Sequence, residues 1–175
     1  MKCRKSILFV FMVFVFTLTM AGFVSAGEDV KKHPSCKCCA MDREHFAHSR
    51  VYIEYDDEST EGMCSIRCAV IDLAVNIGKT PKTIGVGDYN TKRLIDAQKA
   101  FWVIGGGKAG VMTKRAKWAF EKKEDAEGFI KENGGKLAIF DEALKAAYED
   151  MYEDTKMIRE KRKKMKMMEM MEHKH

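Results

Sequence analysis

Cys36, Cys38 and Cys39 stand within four consecutive positions, and Met41 follows two residues later. A second sulfur group, Met63, Cys64 and Cys68, comes further along the chain. Two chemistries gather sulfur this densely: disulfide bonding and soft-metal binding. A thioether cannot form a disulfide but is a good ligand for Cu(I), so methionines beside both thiol groups point to the metal. Cys36-x-x-Cys39 alone also suits thiol oxidoreductases and zinc sites. A catalytic redox pair usually opens a helix, which lowers one thiol's pKa; Ala40-Met41-Asp42 leads into no clear amphipathic helix. Cys64 and Cys68 are four apart in a predicted helix and so share one face, one turn apart. Taken alone they would be small core hydrophobes. With Cys36 and Cys39 they supply the second pair of a four-sulfur site. Zn(II) accepts four cysteines and is the alternative ion, but it gives no reason for Met41 and Met63.

Other residues able to do chemistry are less sharply placed. Cys38 is either a spare ligand or a disulfide partner. His45 and His48, at i, i+3 spacing around Phe46, read as solvated loop histidines before ligands. Met112 follows a glycine-rich loop from Gly105 to Gly110, where a lone apolar residue has little reason to be. Phe101, Trp102, Trp118 and Phe120 read as core aromatics. The C-terminal stretch from Met165 to His175 holds Met165, Met167, Met168, Met170, Met171, His173 and His175 among lysines and glutamates. A solvated helix end needs no methionine, so this tail is either a low-affinity collector of copper or a basic peptide that touches anionic membrane.

The N-terminus sets the compartment. Lys2, Arg4 and Lys5 precede an almost unbroken apolar run from Ile7 to Val24, and Val24-Ser25-Ala26 offers the small-residue pattern of a signal-peptidase site. Residues 1–26 are therefore expected to be a signal peptide cleaved after Ala26, with an uncleaved anchor as the rival. Cys3 precedes the apolar run and cannot become the lipid-bearing first residue of a lipoprotein. Cleavage removes three basic residues and no acid from a chain of formal charge +5. So weakly basic a body lacks the footprint of a nucleic-acid binder. Six cysteines become five on loss of Cys3, an odd number that a full disulfide framework would not satisfy.

The elements that must position these residues form an α+β pattern. Val51–Tyr55 alternates as a strand and turns at 56–59. Apolar residues at 66, 69, 70, 73, 74 and 77 predict a helix over Cys64–Asn76 with one buried face, stopped at Gly78 before Pro81. Further strands are predicted at Ile84–Tyr89, Lys99–Ile104, Lys117–Glu121 and Leu137–Phe140, with a helix over Lys123–Asn133 ended by Gly134-Gly135. Strand–helix–strand thus occurs twice, over 51–89 and 100–140, which suggests two similar small units in one body. Asp141 to about Met171 contains no helix breaker and predicts one long helix. The expected division is signal peptide 1–26, metal-binding domain 27–140 and helical extension 141–175.

These motifs together resemble the nitrous-oxide-reductase accessory proteins, the NosL-like family. Its opening Cys-x-x-Cys-Gly-Met is matched by Cys36, Cys39 and Met41, with Ala40 in the glycine place. Its middle cysteine motif is matched by Cys64 in Met-Cys-Ser-Ile-Arg-Cys-Ala-Val. Val86-Gly-Asp-Tyr-Asn-Thr, Leu94-Ile-Asp-Ala, Ala100-Phe-Trp-Val-Ile-Gly, Val111-Met112, Ala119-Phe120 and Gly134-Gly135 follow in the family's order, so the likeness spans roughly residues 36–140. The resemblance implies an exported Cu(I)-binding factor supplying copper to nitrous oxide reductase, with a body of two related α/β units similar to part of the organomercurial lyases. It carries over Cys36, Cys39, Met41, Cys64 and Met112 as ligands; Cys68 is added by helix geometry. Ala40, the lack of a lipoprotein leader and the Met/His tail are departures that bear on the client more than on the metal.

The expectation is therefore a non-enzymatic, periplasmic Cu(I) chaperone with a copper-accepting client, no nucleic-acid partner, and a tail able to touch membrane. The alternatives are a thiol-based enzyme, either a disulfide oxidoreductase or an organomercurial-lyase-like protein, and a zinc-stabilised interaction domain. An enzyme would need a low-pKa nucleophile beside a proton donor, and no carboxylate or histidine is placed for that in the sequence.

Overall fold

The computed structural model describes residues 27–172. The expected signal peptide, and His173 and His175 of the tail, lie outside the described residues. The chain opens with a short helix α1 (Glu28–Lys32) and a loop that carries the first cysteine group. Strand β1 (Val51–Tyr55) turns back into β2 (Thr60–Met63), with Val51 opposite Met63. The alternating pattern of β1 puts Val51, Ile53 and Tyr55 into the core. Helix α2 (Ile66–Val75) follows, then β3 (Pro81–Gly87) and β4 (Leu94–Asp96), giving an antiparallel sheet in the order β2-β1-β3-β4.

A second unit repeats the plan. Strands β5 (Phe101–Ile104) and β6 (Lys117–Phe120), helix α3 (Lys123–Asn133) and β7 (Lys136–Ala138) form a sheet ordered β6-β5-β7, with α3 packed on it. The two sheets meet at Asp88. The Tyr89 N–H donates to the Ala119 carbonyl at 2.8 Å, and the buried Asp88 carboxylate accepts the Glu121 N–H at 2.8 Å. Trp102, Trp118 and Phe120 are core residues, and the Trp102 indole satisfies its N–H on the Ala97 carbonyl at 2.9 Å. Each such side chain contributes on the order of 2–3 kcal/mol through burial.

The α+β class and the twofold repetition stand, with the first unit gaining two strands, β2 and β4. Strand β2 was not expected because Thr60-Glu61-Gly62-Met63 does not alternate. Gly62 lacks a side chain for a definite reason: a Cβ there would lie 2.7 Å from the Arg43 guanidinium and 2.5 Å from the His33 Cβ. Strand β4 was also missed. Helix α2 begins at Ile66 and is buried over 66–70 and at Asp72; Ala74 and Ile77, assigned to the apolar face by periodicity, are exposed. The strand expected over Leu137–Phe140 is shifted to Lys136–Ala138, and Phe140 instead opens a helix.

The single helix expected after Asp141 is two helices. Helix α4 (Phe140–Glu149) lays Phe140, Ala143, Ala146 and Ala147 into the core, one stripe at helical spacing. The chain turns at Asp150, whose carboxylate accepts from Arg115 Nε at 2.9 Å and from the buried Lys117 ammonium at 2.5 Å. These tertiary bonds, invisible to helix propensity, account for the break. Helix α5 (Met151–Glu172) is anchored at its start, where buried Asp154 accepts the Lys114 N–H at 3.0 Å and Arg67 donates to Thr155 Oγ1 at 2.8 Å. From Arg159 to Met171 every residue is exposed. Among the described residues no helix is long and apolar enough to cross a membrane.

Candidate metal centre

The first cysteine group sits in a closed loop. Ser35 and Asp42 pair across its base, the Cys36 N–H donates to the Met41 carbonyl at 2.8 Å, and the Ala40 N–H donates to the Cys36 carbonyl at 2.8 Å. Closing so short a loop forces Ala40 to φ 63°, the left-handed region that glycine adopts without strain. The loop is tied to β2 by the Lys37 N–H on the Gly62 carbonyl at 3.0 Å. Lys37 also pairs with Asp72 of α2 at 3.1 Å and with Glu61. The loop is thus braced over the helix that carries Cys68.

The second group comes from the junction of β2 and α2. Ser65 is extended, with φ −164°, and its carbonyl receives the N–H groups of Cys68 and Ala69 as the helix starts. Two buried donors fix this junction. Ser49 Oγ donates to the Cys64 carbonyl at 2.8 Å, and Arg43 Nε donates to the Met63 carbonyl at 3.1 Å. One helical turn then brings Cys68 beside Cys64.

Cys36, Cys39, Cys64 and Cys68 converge, with their Sγ atoms all within 4.8 Å of one another. Cys39 lies 3.5 Å from Cys64 and 3.9 Å from Cys68, and Cys64 lies 3.8 Å from Cys68. A tetrahedral ion with metal–sulfur bonds of about 2.3 Å requires sulfur–sulfur edges of about 3.8 Å, and a trigonal one about 4.0 Å. The donor set therefore fits a metal ion with little movement. All five described cysteines are free thiols. Cys36, Cys64 and Cys68 are buried, Cys39 is half-buried, and Cys38 is exposed with its thiol on the Cys68 carbonyl at 3.4 Å.

The cluster is built to carry thiolate. Hydrogen bonds from Cys38, Cys39, Cys64 and Cys68 hold the Cys36 thiol far below its usual range. At Cys39 the contact with Cys36 pushes the pKa up, but bonds from Cys64 and Cys68 and the Met41 N–H outweigh it and leave the group at about 7. Donation to Cys36 holds Cys38 up at about 11, and donation to Cys36 and Cys39 holds Cys64 high as well. Cys68 is held high by its donation to Cys36, Cys38 and Cys39 and by burial. One or two negative charges are thus shared among thiols that a soft cation would deprotonate further.

The candidate thioethers belong to the hydrophobic packing: Met63 is fully buried, and Met41 and Met112 are half-buried against the core. Met112 has φ 60°, which places strain in its loop. The histidines are elsewhere. His45 packs edge-on to Phe46, and His48 packs among Phe46, Tyr89 and Trp118. Sequence reasoning missed Asp29, Arg43 and Arg50, a buried ion cluster behind the loop. Arg43 donates to Asp29 Oδ2 at 2.9 Å and to the carbonyls of Asp29, His33, Met63 and Val51, while Arg50 donates to both Asp29 oxygens. No local pattern marks these three; the one available signal was a glycine at 62 that leaves room for a guanidinium.

The profile of the NosL family matches residues 28–148, a span that contains all four clustered cysteines. The chain belongs to the NosL family. The crystal structure of the copper chaperone NosL from Shewanella denitrificans resembles it with a TM-score of 0.50 and 25% identity, over 62% of this chain and 87% of that one. No curated protein matches the chain. The NosL match ends at the close of α4, so the exposed part of α5 lies beyond it.

Proposed function

We propose that this NosL-family protein is an exported, periplasmic Cu(I) chaperone that delivers copper to a client enzyme, nitrous oxide reductase or a related exported copper enzyme. The observation that carries the reading is the convergence of four thiols, three buried and one half-buried, on a single point. Copper is the cargo. Cys36, Cys39 and Cys64 supply the principal thiolates, Cys68 a further one, and Met41 or Met112 a thioether that favours Cu(I) over harder ions. Cu(I) seldom takes more than four ligands, so two or three thiolates and one thioether bind at a time, and a site with more sulfur than the ion needs exchanges ligands readily. Cys39, the half-exposed member, gives an incoming ligand its point of attack. The reaction is ligand exchange, without covalent or redox chemistry. Family membership and the likeness to a copper chaperone support this over the enzyme readings. So does the make-up of the cluster, which among the described residues gathers four thiols and no carboxylate or imidazole to serve as proton donor.

Anaerobic titration of the mature protein with Cu(I), read by X-ray absorption, tests the proposal. The expected shell is dominated by sulfur. Cys39→Ser or Cys64→Ser should abolish tight binding, and Met41→Leu should weaken it without unfolding, since Leu conserves volume. A nitrogen and oxygen shell, or normal binding by Cys64→Ser, would defeat it. The tetrahedral sulfur spacing also favours a second reading, a Zn(II)-stabilised domain; tighter binding of Zn(II) than of Cu(I) would select that one. Export is tested by intact mass, with a secreted chain beginning at Gly27 expected.

A further inference from the structure

Methionine distribution along the described chain is uneven in a way that burial does not explain. Met41, Met63, Met112, Met151 and Met157 are all buried or half-buried. Met165, Met167, Met168, Met170 and Met171 are 50–62% exposed, on the last turns of α5. Among the described residues they stand outside the hydrophobic core, and a solvated helix is formed equally well by Lys, Glu or Leu. In a helix, positions i, i+3 and i+4 form a triangle of neighbours with Cβ atoms about 5–6 Å apart. Met167, Met170 and Met171 occupy one such triangle, and Met168 stands at i, i+3 from both Met165 and Met171. Three flexible, neutral thioethers on adjacent corners are a donor set for a soft monovalent ion and for little else.

The two other uses of an exposed methionine stretch fit less well. A membrane-surface helix segregates apolar from basic residues. Here the methionines spread over roughly 220° of the circumference at about 100° per residue, interleaved with Lys163, Lys164 and Lys166. A core-facing stripe would be narrower and covered. The ligand chemistry is therefore the better account.

We infer that the C-terminal part of α5 is a second, weak Cu(I) site, formed by the thioethers of Met167, Met170 and Met171 with Met165 and Met168 as exchanging neighbours. It depends on the chaperone reading only for the identity of the ion. Thr155, which bonds to Arg67 beside Cys68, is thirteen positions before Met168, about 20 Å along the helix. The tail ion and the cysteine ion are thus separate. The surrounding cationic side chains, Lys161 to Lys164 and Lys166, oppose a positive ion across solvent. They keep the site weak and make its affinity rise when salt screens them.

The test uses the mature full-length protein and a variant in which all five residues are changed, Met→Leu at 165, 167, 168, 170 and 171. Each is titrated anaerobically with Cu(I) against a chromophoric Cu(I) chelator, at two concentrations of a non-coordinating salt. The expected result is loss of at least one weakly held ion per chain, with the tightest ion and the helical content unchanged. In the parent, the weak binding should strengthen with salt. The same titration of Cys39→Ser/Cys64→Ser should show the reverse, with the tight ion lost and the weak binding kept. Unchanged stoichiometry in the five-Leu variant overturns the tail site while leaving the cysteine centre standing. Unchanged stoichiometry with binding to phosphatidylglycerol-containing vesicles kept or strengthened, as the more apolar leucines would give, overturns it in favour of a membrane contact.

Discussion

Asp29→Asn should be among the most damaging single substitutions in this protein, although Asp29 lies outside every motif. Arg43 and Arg50 are 0% and 2% exposed at their side chains, and the Asp29 carboxylate between them is fully buried, at 2.9 and 2.8 Å. Asparagine keeps the shape, removes the charge and turns an amide N–H₂ toward a guanidinium. Removing one partner of a buried ion pair typically costs about 3–5 kcal/mol, because the other charge remains without compensation. Here two cations are left. Against a total stability of about 5–15 kcal/mol, that leaves a marginal domain. For a chain of this size it corresponds to a fall of roughly 6–20 °C in Tm. Arg43 also holds the Met63 carbonyl, next to Cys64, and the carbonyl of Val51. The loss should therefore reach the metal centre as weaker Cu(I) binding. Urea unfolding of the apo protein gives the stability. Arg43→Met in the Asp29→Asn background should recover part of it, a coupling readable by double-mutant cycle. The acid limb carries the same signature. Burial alone would raise the Asp29 pKa, but hydrogen bonds and charge from Arg50, then Arg43, hold it below the usual carboxylate range. Its contribution is complete above an unfolded value of about 3.9 and is lost as pH falls through the folded one. Asp29→Asn should flatten that loss. A variant that unfolds within about 0.5 kcal/mol of the parent would refute the reasoning.

Three further outcomes are expected. Ala40→Gly should stabilise the apo protein by about 1 kcal/mol in urea unfolding, since it relieves a left-handed φ of 63°, less the entropy glycine adds to the unfolded chain. Gly87→Ala should abolish soluble folded protein, read by circular dichroism, because the new Cβ would lie 2.0 Å from the Ala47 carbonyl oxygen, backbone against backbone. Stability should also decline as pH falls below about 6.5. Burial first, then Arg43 for His33 and Lys92 for His48, holds both imidazoles below their ordinary value. The folded state resists protonation that the unfolded chain accepts, and His48→Phe should remove its share of that slope.

The convergence of the four thiols was legible because the spacing within each pair is local. Cys36-x-x-Cys39 and Cys64-x-x-x-Cys68 each bring two sulfurs together within one local element, a turn and a helix turn, so pairing the pairs was the single long-range step required. Strands with alternating or fully apolar character, β1, β5 and β6, were legible for the same reason: the pattern that buries them is local. What failed was whatever depended on a distant partner. Strand β2 is a strand because β1 lies beside it and because Arg43 packs over Gly62. The helix after Asp141 breaks because Arg115 and Lys117 reach Asp150 from another element. Nothing distinguishes Arg43 and Arg50 in the sequence from the other basic residues, most of them solvated. Yet Arg43 ties the cysteine loop to the β2 end that precedes Cys64, and Arg50 holds the Asp29 carboxylate that Arg43 binds. The sulfur residues thus declare the chemistry, while the precision of the site resides in charges whose pairing exists only once the chain has folded. Substitutions at the cysteines should therefore change what is bound, whereas substitutions at Asp29, Arg43 or Arg50 should change whether any of the four thiols meet.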